Sequence, residues 1–394
     1  MNQNTIQFSK FGYSGIFTEL DQIAKDLPNY VHISMCDPPR FGFTLDQTVW
    51  NKIDKLKLST FTEYPNWNGQ IDLLKALSNR IQKWCEVDIP PDNIIMTNGV
   101  SEGFPLTFDS IFHQKKGSIA IPDPSYIPIL IQAPRFSKAW FYHCDETNKW
   151  NPDVDHLKSS IEKHPDTKAI ILITPNAPTG AVYSEKVLKE IVNIAGQYDL
   201  IIVTDEIYDA LSFTKFQSPL KYASEVPMMY MNGFSKVYRL PGYRLGYLGW
   251  YDPEEKHPEV WQYLERISKS RFGVSRIAQE IAKLALNEPP QAIETYKKAV
   301  LKKQIFLINH FKEIPELTVV PSEGGTYIYP KITTNDNDND LVKQLLRDHG
   351  VYVCPGSAYG PTIAPGHLRF VTLASEEDLL LGVNAMKLIF KEIQ

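Results

Sequence analysis

The sequence predicts an α/β protein with a large domain, built on a mostly parallel seven-stranded sheet covered by helices, and a smaller α/β domain. Short apolar, β-branched runs alternate with longer amphipathic stretches, as at 184–198, where apolar residues recur at helical spacing. Near-continuous apolar strands separated by helices are typical of a parallel sheet covered on both faces. The seven predicted strands are residues 93–97, 118–122, 139–143, 169–174, 200–204, 228–232 and 245–250.

The pattern changes after about residue 255. A long helical region over 259–311 is followed by short strand candidates and by a final helix at 376–393. The polar run at 333–340 predicts a surface loop or the lead-in to a helix. Because 394 residues can form more than one core, we expect a large domain over 46–285 and a small domain built from 1–45 and 286–394. The small-domain strand candidates are residues 317–320, 326–330, 351–354 and 368–372.

Composition excludes several classes of protein. A net charge of −5 offers no basic surface for nucleic acid, so no nucleic-acid partner is expected. The four cysteines, Cys36, Cys85, Cys144 and Cys354, lie far apart without a CxxC pair, which predicts free thiols and no metal site. The sequence has neither a secretory signal nor a run of about 18 apolar residues, so we expect no membrane span and a soluble, cytoplasmic protein.

Four polar segments follow predicted strands near their carboxyl ends. In open α/β sheets, ligands bind in the crevice outside those ends. The sequence therefore predicts one site assembled from several strands. The segments are TNGVSEG (97–103), TPNAPTG (174–180), TDEIYDA (204–210) and NGFSKVYRLPGYRLG (232–246).

Two of these segments carry ionisable candidates. Asp205 stands where a predicted strand leaves the core. It is either a helix N-cap or a carboxylate that faces a buried heteroaromatic cation. Tyr208 would lie on the same face as Asp205 if a helical turn follows the strand. Lys236 is a surface lysine or, in its apolar and glycine-flanked context, an amine whose lowered pKa suits Schiff-base formation. Arg244 is either a salt-bridged surface residue or a residue whose planar guanidinium binds a phosphate.

The other two segments are weaker taken singly. Ser101 lies where a strand gives way to a helix, a geometry that binds anions but is also explained by capping. Asn176 lies in a turn with two prolines. This turn either has a purely structural role or holds the Asn176 amide against a ligand oxygen. The occurrence of all four segments in this order favours the functional interpretation.

Together these residues resemble the fold-type I pyridoxal-phosphate enzymes, specifically the class I/II aminotransferases with the aspartate aminotransferase-like fold. The resemblance runs from about residue 33 to residue 372. DPPRFGF (37–43), NGFSKVYRLPGYR (232–244) and HLRFVTLA (367–374) look most like the bacterial alanine–glutamate transaminases. The resemblance implies pyridoxal 5′-phosphate as cofactor.

The resemblance also implies roles around the cofactor ring. Lys236 would form the internal aldimine and carry the proton during catalysis. Asp205 would pair with the pyridine nitrogen, and Tyr208 and Asn176 would bond the ring oxygen. Tyr126, in PDPSY, would stack on the ring.

At the other end of the cofactor, the resemblance implies that Val100, Ser101 and Arg244 bind the phosphate. Gly233 stands where many relatives have a phosphate-binding serine, and Ser235 is a candidate to compensate. Tyr64, in YPNWNG, would reach the phosphate of a neighbouring subunit, so a homodimer with shared sites is implied.

On the substrate side, Arg369 would hold the α-carboxylate, next to Asn176. Cys36 replaces a common glycine there and would narrow the pocket. The segment FGYSGIF (11–17) lacks the arginine that alanine transaminases of this type carry near Ser14. Arg271 of a partner subunit is a candidate substitute, with a helix-surface salt bridge as its alternative role.

The implied function is transfer of an amino group between an L-amino acid, of the alanine/glutamate type first, and a 2-oxo acid by ping-pong kinetics, in amino-acid metabolism and biosynthesis. Aromatic or other bulky substrates stay open, given Tyr13, Phe17 and Trp67. So does a β-eliminating C–S lyase on the same scaffold. A non-catalytic sensor domain of a transcription regulator is disfavoured, because the chain has no helix-turn-helix pattern.

Overall fold

The structure is a computed structural model, and it describes residues 13–114, 116–334 and 336–393. Residues 1–12, which belong to the predicted small domain and include the start of the FGYSGIF segment, lie outside the described residues. The strands in chain order are β1 (Val31–His32), β2 (Ile94–Thr97), β3 (Ser118–Asp123), β4 (Lys138–Asp145), β5 (Asn151–Pro152), β6 (Thr167–Ile173), β7 (Ile201–Asp205), β8 (Met228–Gly233), β9 (Gly246–Tyr251), β10 (Leu317–Thr318), β11 (Tyr327–Ile328), β12 (Lys331–Ile332), β13 (Val351–Tyr352), β14 (Cys354–Pro355) and β15 (Leu368–Val371). The α-helices are α1 (Tyr13–Lys25), α2 (Gln47–Ile53), α3 (Ile71–Cys85), α4 (Val100–Phe112), α5 (Ile127–Gln132), α6 (Val154–Lys163), α7 (Glu185–Gln197), α8 (Pro258–Ser270), α9 (Arg276–Ala285), α10 (Pro290–Phe311), α11 (Asp338–His349) and α12 (Glu376–Ile393).

The central sheet has the strand order β2-β9-β8-β7-β6-β3-β4-β5. Neighbouring strands from β8 through β7, β6 and β3 to β4 are parallel, while β9 runs antiparallel to both of its neighbours. The seven predicted strands are all present, so the prediction of a mostly parallel sheet is confirmed. The two-residue β5 adds an eighth strand at one edge, and it is too short to leave a periodic signal in the sequence.

Helices cover both faces of this sheet because its strands are apolar on both sides. In β6, Ile170 and Leu172 pack into one core, whereas Ile171 and Ile173 pack into another on the opposite face. The first core includes side chains of α3, α6, α7 and α9, and the second includes side chains of α4 and α8. Alternation of this kind follows from the two-residue period of a strand.

A third core lies among the short strands and the terminal helices. It joins Leu20 of α1 and Ile33 to the second half of α10 and to α11 and α12. Helix α10 belongs to two cores, since Val300 packs into the first and Leu307 into the third. The predicted division into residues 46–285 and two flanking segments stays a prediction.

The long helical region predicted over 259–311 is divided into three helices. Gly273, with φ +80°, stands between α8 and α9, a backbone conformation that glycine adopts without strain. Pro290 begins α10, where its fixed φ and missing N–H are tolerated. The polar run at 333–340 leads into α11, whose first turn is capped by the side chain of Asn337.

Within the ranges that the structure describes, no helix is long and apolar enough to cross a membrane. The same ranges contain no group of three or more His, Cys, Asp or Glu side chains that could hold a metal ion.

Asp123, at the carboxyl end of β3, anchors a loop that precedes β15. Its buried carboxylate accepts hydrogen bonds from the backbone N–H groups of Thr362, Ile363 and Ala364, at 2.8, 3.0 and 3.2 Å. A Cβ at Gly360 would lie 1.9 Å from its Oδ1, so only glycine fits beside it. The sheet thereby fixes a loop that is about 240 residues away in sequence.

We expect Asp123→Ala to lower the free energy of unfolding by about 2–4 kcal/mol, because the three N–H donors lose their acceptor. Urea denaturation measures this change. The exposed Asp348→Ala serves as the control and should stay within about 0.5 kcal/mol of the wild type. Equal effects of the two substitutions would contradict the anchoring role of Asp123.

Candidate active site

The carboxyl ends of the parallel strands meet at a partly open cavity. β-Sheet register explains why distant segments converge there: Gly246 pairs with both Gly233 and Thr97, and Asp205 pairs with Ile173. The cavity is lined by ten of the residues that the sequence singled out: Cys36, Val100, Ser101, Tyr126, Asp205, Tyr208, Ser235, Lys236, Arg244 and Arg369.

Lys236 follows β8 and reaches into the cavity. Its Nζ donates a hydrogen bond to the backbone carbonyl oxygen of Cys36, at 2.6 Å. Burial lowers the pKa of the Lys236 amine, an effect that nearby Arg369 reinforces and the neighbouring Cys36 opposes. A larger fraction of the amine is therefore neutral and nucleophilic than in a surface lysine.

Asp205 ends β7 and is 3% exposed. Its Oδ1 accepts a hydrogen bond from the backbone N–H of Ile207, at 3.1 Å. Burial raises the pKa of Asp205 to about 7, although this bond and the charge of Lys236 oppose the rise. A ligand cation against this carboxyl would favour its ionised form.

An anion-binding geometry lies at the start of α4. Gly99, with φ +77°, precedes the helix and has no side chain with which to cap it, so the first-turn N–H groups are open to a ligand. A Cβ at Gly99 would lie 2.5 Å from Arg244 Nη2, and one at Gly246 would lie 2.6 Å from the backbone nitrogen of Val100. The two glycines thus let Arg244 approach the helix terminus.

Arg369, in β15, forms another wall of the cavity. Its Nη2 donates to the backbone oxygen of Ser34, and its guanidinium lies 5.1 and 5.8 Å from the ring centroids of Tyr359 and Tyr327. Among the described residues, its buried Nε has no hydrogen-bond partner. A carboxylate is the ligand that such a donor accommodates best.

Two aromatic residues complete the predicted set. Tyr208 packs edge-on against Tyr327, with 5.4 Å between the ring centroids. Burial raises the pKa of the Tyr208 hydroxyl well above its ordinary value, so it stays protonated and able to donate. Burial likewise raises the pKa of Tyr126, and the nearby Ser101 side chain opposes that rise.

Two predicted residues do not line this cavity. Asn176 is fully buried, and its carboxamide bonds within its own turn and to the Tyr183 hydroxyl, at 3.1 Å. Tyr64 is 81% exposed, with its ring 5.5 Å from that of Phe272. Their ligand contacts stay predictions.

The departures from the family pattern have local physical settings. A Cβ at Gly233 would lie 2.8 Å from the backbone oxygen of Leu245, whereas Ser235 lines the cavity. Cys36 Sγ lies 3.1 Å from Thr326 Oγ1, beside the cavity. Arg271 is paired with Glu102 of its own chain at 2.5 Å, which agrees with the salt-bridge alternative.

Sequence reasoning missed five lining residues: Ile173, Ala177, Ile207, Pro241 and Tyr327. Ala177, Ile207 and Pro241 lie inside polar segments that the sequence did identify, and Ile173 directly precedes one of them. Tyr327 belongs to a strand candidate after two glycines, and its hydroxyl donates to the backbone oxygen of Asn176 at 3.0 Å. The paired glycines were the only local signal that this strand approaches another backbone closely.

A second, partly open cavity adjoins the first. The two share Tyr126 and Arg369, and the second is also lined by Phe17, His32 and Met35. Burial lowers the pKa of His32, with the charge of Arg40 as the next cause. The lining also includes Asp21, whose Oδ1 accepts a hydrogen bond from the Tyr352 hydroxyl at 2.9 Å, so Asp21 and Arg369 are the charged residues of an otherwise largely neutral wall.

Comparison with known proteins gives consistent results. The family model described as aminotransferase class I and II matches residues 37–385. The chain is 30% identical over 332 residues to the probable aspartate aminotransferase of Methanocaldococcus jannaschii, covering 84% of this chain and 86% of that protein. It is 28% identical over 380 residues to the glutamate–pyruvate aminotransferase AlaA of Escherichia coli, covering 94% and 92%. The solved structure of an alanine aminotransferase from Pyrococcus furiosus superposes with a TM-score of 0.92 at 30% identity, covering 98% and 99%.

The raised pKa of Asp205 generates a test on the cofactor-free protein. The native state holds this proton up to about pH 7, while an unfolded aspartate releases it near 3.8. The resulting stabilisation is present at pH 4 and lost as the pH rises through 7. The wild type should therefore lose about 2–4 kcal/mol of unfolding free energy between pH 4 and pH 8 that Asp205→Asn does not lose.

Urea denaturation across this pH range measures the change. Asp92→Asn, at an exposed position, is the control for replacing an aspartate by asparagine outside the site. A constant difference between Asp205→Asn and the wild type would show that burial does not shift the pKa of the Asp205 carboxyl.

Proposed function

Because the chain belongs to the class I and II aminotransferase family and is an enzyme of the transaminase type, we propose that it moves an amino group between an L-amino acid and a 2-oxo acid by ping-pong kinetics, with alanine and glutamate as the first substrate pair. Members of this family generally depend on pyridoxal phosphate. The proposed cofactor here is pyridoxal 5′-phosphate. The observation that carries the proposal is that Lys236, Asp205 and Arg369 line one cavity.

The residues present fit this cofactor at both of its ends. Asp205 offers a buried carboxyl to a protonated ring nitrogen, which would supply the cation that the carboxyl lacks. The open start of α4, with Ser101, Ser235 and Arg244, offers donors to the phosphate. When bound, the cofactor supplies an electron sink that acidifies the Cα–H bond of the substrate.

Lys236 is proposed to hold and move the proton. Its desolvated Nζ titrates at lower pH than a surface lysine, so the neutral amine that can accept a proton is more accessible. The carbonyl oxygen of Cys36 accepts from Nζ and orients it. Tyr208, kept protonated by burial, is proposed to donate a hydrogen bond to the ring oxygen.

Arg369 is proposed to bind the substrate α-carboxylate. Its guanidinium is fixed by Ser34 and flanked by the rings of Tyr327 and Tyr359, which exclude water. A bidentate carboxylate contact would orient the Cα–H bond toward Lys236. Asn176 is proposed to contribute by shaping its turn, since its backbone oxygen accepts from the Tyr327 hydroxyl.

A homodimer with shared sites is also proposed. Its support is a set of exposed apolar side chains, Leu58, Tyr64, Trp67 and Phe272, that are 48–81% exposed in the single chain. Solvent-exposed clusters of this kind mark interaction surfaces. Tyr64 would then reach the phosphate of the partner subunit's cofactor.

The setting of the enzyme is proposed as cytoplasmic amino-acid metabolism and biosynthesis. All four cysteines are free, which suits a reducing compartment. We keep the division at 45/46 and 285/286 as the proposed domain boundary. Leu45 packs in the first core while Ile33 packs in the third, so the chain crosses between these two cores within residues 33–45.

A bulkier, uncharged amino donor is the second candidate for one half-reaction. The second cavity adjoins Arg369, and Phe17, His32 and Met35 in its wall suit an apolar or aromatic side chain. Arg271, the candidate for the distal carboxylate of glutamate, is paired with Glu102 of its own chain. These two observations support an aromatic or other bulky donor as the second candidate.

The first experiment mixes the protein, loaded with pyridoxal 5′-phosphate, with single amino acids, and follows the loss of visible cofactor absorbance and the release of keto acid. We expect bleaching by alanine and glutamate, with matching pyruvate and 2-oxoglutarate. Faster reaction with phenylalanine or methionine would favour the second candidate. Release of ammonia without conversion of the cofactor to its amine form would identify a β-eliminating lyase and overturn the transaminase proposal.

Lys236→Ala should still bind the cofactor but lose transamination by about 10²–10⁴-fold or more, because the positioned acid–base group is gone. Steady-state rates and the cofactor's absorbance after gel filtration measure the two properties. Lys298→Ala, at an exposed position, should match the wild type in both. Near-normal turnover of Lys236→Ala would remove Lys236 from the proposed chemistry.

A further inference from the structure

Arg239 lies three residues after Lys236, on the same loop between β8 and β9, and is 2% exposed. Its Nε donates to the backbone oxygen of Thr44, at 3.0 Å, and its Nη1 donates to that of Val237, at 2.6 Å. Its Nη2 pairs with Glu288. The guanidinium also lies 5.1 Å from the ring centroid of Tyr296, so every side of it is occupied.

Glu288 stands between α9 and α10 and completes the arrangement. Its Oε1, which binds Arg239, also accepts the backbone N–H of Asp46, at 2.8 Å. Its Oε2 has no hydrogen-bond partner among the described residues. Burial raises the pKa of Glu288, while the charge of Arg239 opposes that rise. Removing Arg239 would therefore leave a buried acid without its cation.

One segment, residues 36–46, is hydrogen-bonded at both ends to side chains of the loop between β8 and β9, which carries Lys236 and Arg239. At one end Lys236 Nζ donates to the carbonyl oxygen of Cys36, and at the other end Arg239 and Glu288 bind the backbone of Thr44 and Asp46. Between these ends, Phe41 packs against both the first and the third core. The segment is thus the crossing between the two cores, and its Thr44–Asp46 end is fixed.

We propose that Arg239 is a positioning residue: with Glu288 it clamps the end of the 36–46 segment and so holds the Cys36 carbonyl oxygen against Lys236. A lysine side chain has four rotatable bonds, and an oriented acceptor is needed to hold its Nζ in one place. A buried ion pair contributes little net stability compared with apolar residues of the same size, so its geometry is the more specific contribution. The inference rests on the proposed function, in which Lys236 carries the proton.

The clamp predicts a change in Lys236 itself that can be measured without cofactor. The full chain is labelled with acetic anhydride over a range of pH, and mass spectrometry follows acetylation of Lys236. The charged and titratable groups that act on this amine are Cys36, Asp37, Asp205, Arg244 and Arg369, and all are unchanged in the variants.

For Arg239→Gln, the midpoint of the labelling curve should rise by about one pH unit, because a loosened 36–46 segment admits water and relieves the burial that lowers this pKa. Arg239→Lys should raise the midpoint by less than Arg239→Gln does, because an ammonium can pair with Glu288 but cannot also reach Thr44 and Val237. Glu288→Gln, a milder change that keeps the shape of the site, should also raise the midpoint. It replaces Arg239→Gln as the test variant if Arg239→Gln does not fold.

Ile281→Ala is the matched control. It removes a buried side chain from α9, the helix before Glu288, and lowers the melting temperature without touching the clamp. Its Lys236 midpoint should equal that of the wild type. An unchanged midpoint in both Arg239→Gln and Glu288→Gln, or an equal shift in Ile281→Ala, overturns the positioning role.

The loaded enzyme supplies an independent readout. Arg239→Gln should lower kcat by about tenfold while the KM for the amino acid changes little, because Lys236 is displaced and Arg369 is not. If the wild type neither binds pyridoxal 5′-phosphate nor transaminates, the proposed function fails, and the labelling experiment still decides the clamp. If the wild type transaminates and the labelling midpoint is unchanged, only the clamp fails.

Discussion

Two ionisable groups, the partly buried Lys236 amine and the buried Asp205 carboxyl, line one cavity at the carboxyl edge of the central sheet. Burial pushes each group toward its neutral form: it lowers the pKa of the lysine and raises that of the aspartate to about 7. Neither group would show these shifts in water, because solvation would stabilise the ions. The reactivity of the site therefore depends on how firmly the surrounding structure keeps water out.

The scaffold meets this requirement by surrounding the site with fixed backbone. The parallel strands are buried on both faces, so their carboxyl ends have little freedom to move. Asp123 fixes the loop before β15, and that strand carries Arg369. The proposed Arg239–Glu288 clamp would act on the opposite side, where the 36–46 segment crosses between cores. Each anchor is a buried charge bonded to backbone groups, which fixes direction as well as distance.

The proposed substrate side of the site is lined by fewer charged groups. Arg369 stands between two cavities, one lined by Lys236 and Asp205 and one lined by Phe17 and Met35 together with Asp21 and His32. The α-carboxylate and the side chain of an amino acid would therefore meet very different surroundings. Discrimination among substrates would then rest on the shape of the second cavity, where one methylene group changes the binding free energy by about 1–3 kcal/mol.

The sequence by itself determined the strands of the sheet, the ends of helices such as α12, and the identity of the chemical groups. Periodicity and chain order are local properties: Asp205 and Lys236 each come after a strand that the periodicity predicts, and Arg244 comes directly before one. Only the tertiary structure decided which of these groups meet and which do not. Asn176 bonds within its own turn and Arg239 binds Thr44, although nothing in the neighbouring sequence indicates these contacts. Tyr327 enters the cavity wall, and the two glycines before it are the only local indication. The physical reason is that such contacts depend on the packing of segments up to about 200 residues apart, and packing distances are not encoded in the pattern of any single segment.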